Sequence, residues 1–137
     1  MAGLSDDQLW LELPALSPRA PPRLLVFLHG AGSRPETFAP VAIAWQLKFP
    51  GATAAILQGL HAGATGHGFD WFDASGVAAD RIGRIGDASD AVALRVRTLQ
   101  HACGVGADRT VLVGFSQGAT VVLQALRGDA TGAETPD

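Results

Sequence analysis

Residues Thr110–Leu126, TVLVGFSQGATVVLQAL, constrain the fold of this chain more than any other stretch. An apolar run, Val111–Val113, leads into Gly114-Phe115-Ser116-Gln117-Gly118, after which Ala119, Val122, Leu123 and Leu126 recur at helical spacing. The pattern predicts a strand buried on both faces, a sharp turn, and an amphipathic helix. Glycines two residues either side of Ser116 let backbone pack closely against a residue held in an unfavourable conformation. A serine hydroxyl presented at such a turn is a candidate nucleophile.

The rest of the chain supplies an α/β setting for that turn. Gln8–Leu13 alternates, with Leu9, Leu11 and Leu13 on one face, the pattern of a half-buried edge strand that Pro14 ends. Arg23–Leu28, RLLVFL, is apolar on both faces and reads as a central strand. It runs into His29-Gly30-Ala31-Gly32-Ser33, a small-residue loop at a strand's carboxyl end, where open α/β sheets place their ligand sites. Ser33 and Glu36 fit a capping box around Pro35, and Phe38, Val41, Ala42, Trp45 and Phe49 follow as the apolar stripe of a helix. Pro50-Gly51 stops that helix and Ala52–Leu57 supplies the next strand, completing a βαβ unit.

Residues 58–86 read as a long glycine-rich loop, of the kind that forms lids and pocket walls. It carries His61, His67 and the cluster Phe69-Asp70-Trp71-Phe72-Asp73. The histidines and aspartates show no recognised ligand spacing, so neither a metal nor another cofactor is expected. Trp71 and Phe72 serve equally well as a hydrophobic anchor or as a substrate contact. A helix is expected from Asp87 to Cys103, with Ala88, Val92, Val96, Leu99 and Cys103 buried, Arg95 and Arg97 towards solvent, and Gly104 as its stop. From residue 128 the sequence is polar and without periodicity, so the domain is expected to span 1–127 and a disordered tail 128–137.

Composition narrows the partners. A formal net charge of −3 disfavours nucleic acid and anionic membrane surfaces, which need a basic patch. A single cysteine, Cys103, excludes an internal disulfide, and no apolar run reaches membrane-spanning length. The acidic start MAGLSDDQLW is unlike a signal peptide, so a cytoplasmic protein is expected.

Three segments, LLVFLHGAGS, DWFD and GVGADRTVLVGFSQGA, together resemble the carboxylesterase/lysophospholipase group of α/β hydrolases, which includes acyl-protein thioesterases. The resemblance implies the N-terminal part of an α/β-hydrolase fold: a mostly parallel sheet with flanking helices, lacking the C-terminal strands. It implies Ser116 as nucleophile, the backbone N–H groups of Ala31 and Gln117 as the oxyanion hole, and Gly30, Gly32, Trp71 and Phe72 beside a small-molecule carboxylic ester or thioester. The family carries its Asp and His after the nucleophile, and no histidine follows Ser116 here. Activity of the chain by itself is therefore expected to be absent or very weak, unless His29 at the adjacent strand end substitutes as base. A catalytically dead protein that binds acyl ligands is the alternative. The nucleophile strand, central in a complete sheet, is expected to be an exposed apolar edge.

Overall fold

The computed structural model describes residues 9–133, with 128–133 described by their backbone. Four strands form the main sheet: β1 (Trp10–Leu13), β2 (Arg23–Leu28), β3 (Ala52–Leu57) and β6 (Thr110–Gly114), in the order β1-β3-β2-β6. β2 runs parallel to both β3 and β6, whereas β1 pairs antiparallel with β3 and closes that side of the sheet. A two-residue pair, β4 (His61–Ala62) with β5 (Phe69–Asp70), makes a small antiparallel hairpin. The described residues also form three α-helices: α1 (Ala39–Lys48), α2 (Ala78–Cys103) and α3 (Gln117–Ala133).

The continuous apolar runs of β2 and β3 arise because both sheet faces are covered. Leu24, Val26 and Leu28 point to one face, where they meet Val92, Val96 and Leu99 of α2 and Val121 and Val122 of α3. Leu25 and Phe27 point to the other, against Ala39 and Ala42 of α1, with the Trp45 ring edge-on to Phe27 at 6.1 Å. Small residues on α1 let its backbone approach the sheet. Gln46, also buried, donates its side-chain amide to the carbonyls of Leu13, Pro14 and Ala52, each at 3.0 Å, and so ties α1 to the end of β1.

Several expectations are corrected. α1 is entered through a 3-10 turn, Pro35–Phe38, which starts from Arg34 without a side-chain cap, so the Ser33–Glu36 capping box does not begin the helix. Its buried face is Ala39, Ala42 and Gln46, while Val41 and Phe49 are exposed. α2 begins at Ala78, nine residues before the expected Asp87, and its first turns lie in solvent with Ile82 72% exposed. The 58–86 segment is thus a hairpin followed by two helical turns rather than one loop. Arg95 does not face solvent freely: it is half-buried and donates to the Gln58 carbonyl at 2.9 Å. α3 is continuous to Ala133, where a tail was expected from 128, and 134–137 lie outside the described residues. Gln8, the first residue of the expected edge strand, also lies outside them.

β6 pairs with β2 on one side, and among the described residues no strand occupies its other side. Val111 is 37% exposed, and among the described side chains of α3 the buried apolar ones are Val121 and, as expected, Val122, while Leu123 and Leu126 are exposed. The apolar faces beside this edge explain why periodicity alone misassigned the α3 stripe. No helix among the described residues is long and apolar enough to cross a membrane.

Candidate active site

The end of β6 turns sharply into α3 at Ser116, which has φ 55°, the sole described non-glycine residue with positive φ. An L-residue in this conformation costs about 1–2 kcal/mol, so the surrounding packing must enforce it. Two close approaches do so. A Cβ on Gly114 would lie 2.6 Å from the Ala119 Cα, and a Cβ on Gly118 would lie 2.4 Å from the Leu28 carbonyl oxygen. Both spacings require glycine, which accounts for the G-x-S-x-G pattern. The turn is fastened by the Phe115 N–H to Leu28 at 3.1 Å and the Gly118 N–H to Phe115 at 3.0 Å. Ser116 is exposed, and its hydroxyl has no hydrogen-bond partner among the described residues.

The loop after β2 lies against this turn. A Cβ on Gly30 would stand 3.4 Å from the Ser116 Cβ, so the loop touches the serine. Ala31 is exposed, and the Ala31 and Gln117 main-chain N–H groups carry no hydrogen bond among the described residues. Each directly follows one of the two residues in contact, Gly30 and Ser116. The Gly32 N–H is not free: it donates to the Asp70 carboxylate (Oδ1, 2.8 Å) and to the Phe69 carbonyl (2.9 Å). Gly32 therefore shapes the loop rather than offering a donor to substrate.

His29 is fully buried with both ring nitrogens engaged. Nε2 accepts the Gly59 N–H at 3.0 Å, which leaves the proton on Nδ1 to donate to the Gly30 carbonyl at 2.7 Å. Burial pushes its pKa below the ordinary value, opposed by the Gly30 hydrogen bond and by Asp70. With its Nε2 lone pair taken by the Gly59 N–H, Nδ1 bonded to the Gly30 carbonyl and the ring fully buried, the imidazole has no acceptor to offer the Ser116 hydroxyl, so His29 braces the loop rather than standing in as the base. His61 and His67 are exposed on the hairpin, and His101 is exposed in the last turn of α2.

Trp71 is fully buried and Phe72 nearly so. The Trp71 indole N–H donates to the His29 carbonyl at 2.7 Å, and its ring lies 5.2 Å from the imidazole. Of the two roles open to these aromatics, anchoring the loop is the one this burial supports; the Trp71 side chain supports the site from beneath. Beyond Phe72 lies a cleft of about 480 Å³ lined also by Leu60, His61, Asp73 and Arg84, and not by Ser116. Two side chains to which the motifs assign no role complete the surroundings: Asp70 of the DWFD segment, and Gln117 of the elbow, whose Oε1 accepts the Trp71 N–H at 2.6 Å. Their partners are distant in sequence, so neither spacing nor periodicity could have indicated them.

Residues 16–130 match the family model described as Phospholipase/Carboxylesterase. The chain belongs to this family. Within and around it, the chain is 32% identical over 108 residues to Esterase YpfH of Escherichia coli (strain K12), covering 78% of this chain and 47% of that protein. Among solved structures, it superposes on esterase PE8 with a TM-score of 0.76 and 28% identity, covering 85% of this chain and 56% of the other. A carboxylesterase from Mesorhizobium loti shares the fold, with a TM-score of 0.69 at 24% identity over 91% of this chain and 57% of that one. The α/β-hydrolase fold expected from the sequence is thus established. The chain spans about half the length of each of these proteins.

Proposed function

We propose that this chain carries the nucleophile and oxyanion hole of a serine carboxylesterase or thioesterase acting on small carboxylic esters. The observation that carries the proposal is Ser116 at φ 55°, exposed, with the glycine loop after β2 packed against it. Ser116 Oγ attacks the ester carbonyl carbon, and the carbonyl oxygen, now negative, is received by the Ala31 and Gln117 N–H groups. One such donor is worth about 3 kcal/mol, because it meets charge that exists only in the transition state. Collapse expels the alcohol or thiol and leaves an acyl group on Ser116, which water then removes.

The serine proton needs a general base, and the four histidines of this chain are not placed for it: one is buried and doubly bonded, and none hydrogen-bonds to Ser116. The base and its orienting carboxylate are the His and Asp that the family resemblance implies after the elbow. An oxyanion hole without its base still supports about 10³–10⁴ over the uncatalysed reaction in the serine protease case. Slow acylation is therefore expected of this chain. Cys103 as single cysteine fits a reducing, cytoplasmic setting.

Incubation with p-nitrophenyl butyrate followed by peptide mapping tests the proposal. The expected result is slow nitrophenolate release with one butyryl group on the Ser116 peptide, both absent in Ser116→Ala. Equal release from Ser116→Ala, or acylation elsewhere, contradicts it.

A further inference from the structure

The four residues Phe69–Phe72 are hydrogen-bonded both to the loop after β2 and to the elbow. On the loop side, the Gly32 N–H donates to Asp70 Oδ1 at 2.8 Å and to the Phe69 carbonyl at 2.9 Å, and the Phe69 N–H donates to the Ser33 carbonyl at 2.9 Å. On the elbow side, Gln117 Oε1 accepts the Trp71 N–H at 2.6 Å, and Gln117 Nε2 donates to the Phe72 carbonyl at 3.0 Å. Between the two, the buried Trp71 indole is fixed to the His29 carbonyl at 2.7 Å.

We infer that Asp70 and Gln117 are positioning residues that set the separation and aim of the two oxyanion donors through this shared segment. The inference rests on the proposed role of the Ala31 and Gln117 amides. Ala31 immediately precedes the Gly32 amide that Asp70 holds, and the Gln117 donor belongs to the residue whose own side chain grips Trp71 and Phe72. An oxyanion hole works by being organised before charge develops, so a loop donor left to wander loses most of its value.

The residue types fit the task. The Gln117 side chain must accept from one peptide N–H and donate to the next residue's carbonyl, which a carboxamide does in the manner of a neighbouring strand. Glutamate keeps the accepting half only, and methionine keeps neither. Asp70 uses both oxygens as acceptors, with Oδ2 taking the Ala64 N–H at 3.0 Å, which fixes the carboxylate's orientation. Asparagine can serve only one of those two donors.

The test has two readouts on the 137-residue chain. The first is ligand-free: backbone proton–nitrogen correlation spectra of the wild type, Gln117→Met, Gln117→Glu and Asp70→Asn. Gln117→Met is expected to move the Ala31 and Gly32 signals as well as those of Trp71 and Phe72, and Asp70→Asn to move that of Gln117. Shifts confined to the substituted side would overturn the inference. The second is acylation by p-nitrophenyl butyrate. Each variant should lower the limiting rate of nitrophenolate release by about 10- to 100-fold, less than outright loss of a donor, with the half-saturating ester concentration within about twofold of wild type. An unchanged limiting rate would also overturn it. Should Gln117→Met fail to fold, Gln117→Glu, which retains the accepting oxygen, decides with a smaller shift in the same direction. A wild type that releases no nitrophenolate refutes the proposed function, while the ligand-free spectra still decide the positioning role.

Discussion

Replacing Gly118 with alanine would put a methyl carbon 2.4 Å from the Leu28 carbonyl oxygen and 2.6 Å from that of His29. Neither oxygen can yield cheaply. The Leu28 oxygen accepts the Phe115 N–H that fastens the elbow, and the His29 oxygen accepts the Trp71 indole N–H. Overpacking of this kind costs about 1–3 kcal/mol, and disturbing the two hydrogen bonds adds about 1 kcal/mol each. Allowing for partial relaxation, Gly118→Ala should destabilise the fold by about 3 kcal/mol. The same substitution at Gly83 is the control, because a Cβ there meets nothing within 4 Å and the residue sits in an exposed turn of α2. Alanine at Gly83 should stabilise by about 0.4–1 kcal/mol, through helix propensity and a less disordered unfolded chain. Urea unfolding followed by tryptophan fluorescence reads both, with midpoints compared at a common slope. A Gly118→Ala protein within about 0.5 kcal/mol of wild type by this assay would refute the packing argument for the elbow.

Strain at Ser116 predicts that Ser116→Gly is more stable than Ser116→Ala by about 0.5–1 kcal/mol, since glycine relieves the positive φ but gives some of that back as unfolded-state entropy. Equal urea midpoints for the two would count against a strained nucleophile. For His29, burial lowers the folded-state pKa below 6.5, so the unfolded chain takes up the proton first as pH falls. This contribution to stability is complete above pH 6.5 and is lost as pH drops from there towards the lowered folded-state value. Thermal unfolding across that window should show a slope that His29→Asn lacks; the same slope in both proteins would show that other groups are responsible.

Parallel strands were the most legible part of the fold. β2 and β3 begin and end where their apolar runs do, because burial on both faces leaves no polar alternation to blur the limits. Helix faces were less legible. α3 offers Val121, Val122, Leu123 and Leu126 within two turns, and only the position of β2 and α2 decides that the first two are buried. The start of α2 was hidden by Gly83 and Gly86, which weaken a helical pattern whose first turns contribute nothing to the core. At the site, Ser116 and the glycines around it could be read from sequence because the elbow is local. His29 could not: its imidazole is held by Gly59, thirty residues away, and that contact turns a candidate base into a structural one. The bonds from Asp70 to the Gly32 amide and from Gln117 to Trp71 and Phe72 are likewise products of tertiary structure.

A fluorophosphonate probe tests the nucleophile most directly, since phosphonylation needs an attacking Oγ and donors for the phosphoryl oxygen. Prolonged incubation of the 137-residue chain, read by peptide mass spectrometry, should give slow labelling confined to Ser116, lost in Ser116→Ala and retained in His29→Asn. No label on Ser116 in the folded chain, or label that depends on His29, would contradict an exposed serine served by the Ala31 and Gln117 amides with His29 held neutral beneath it.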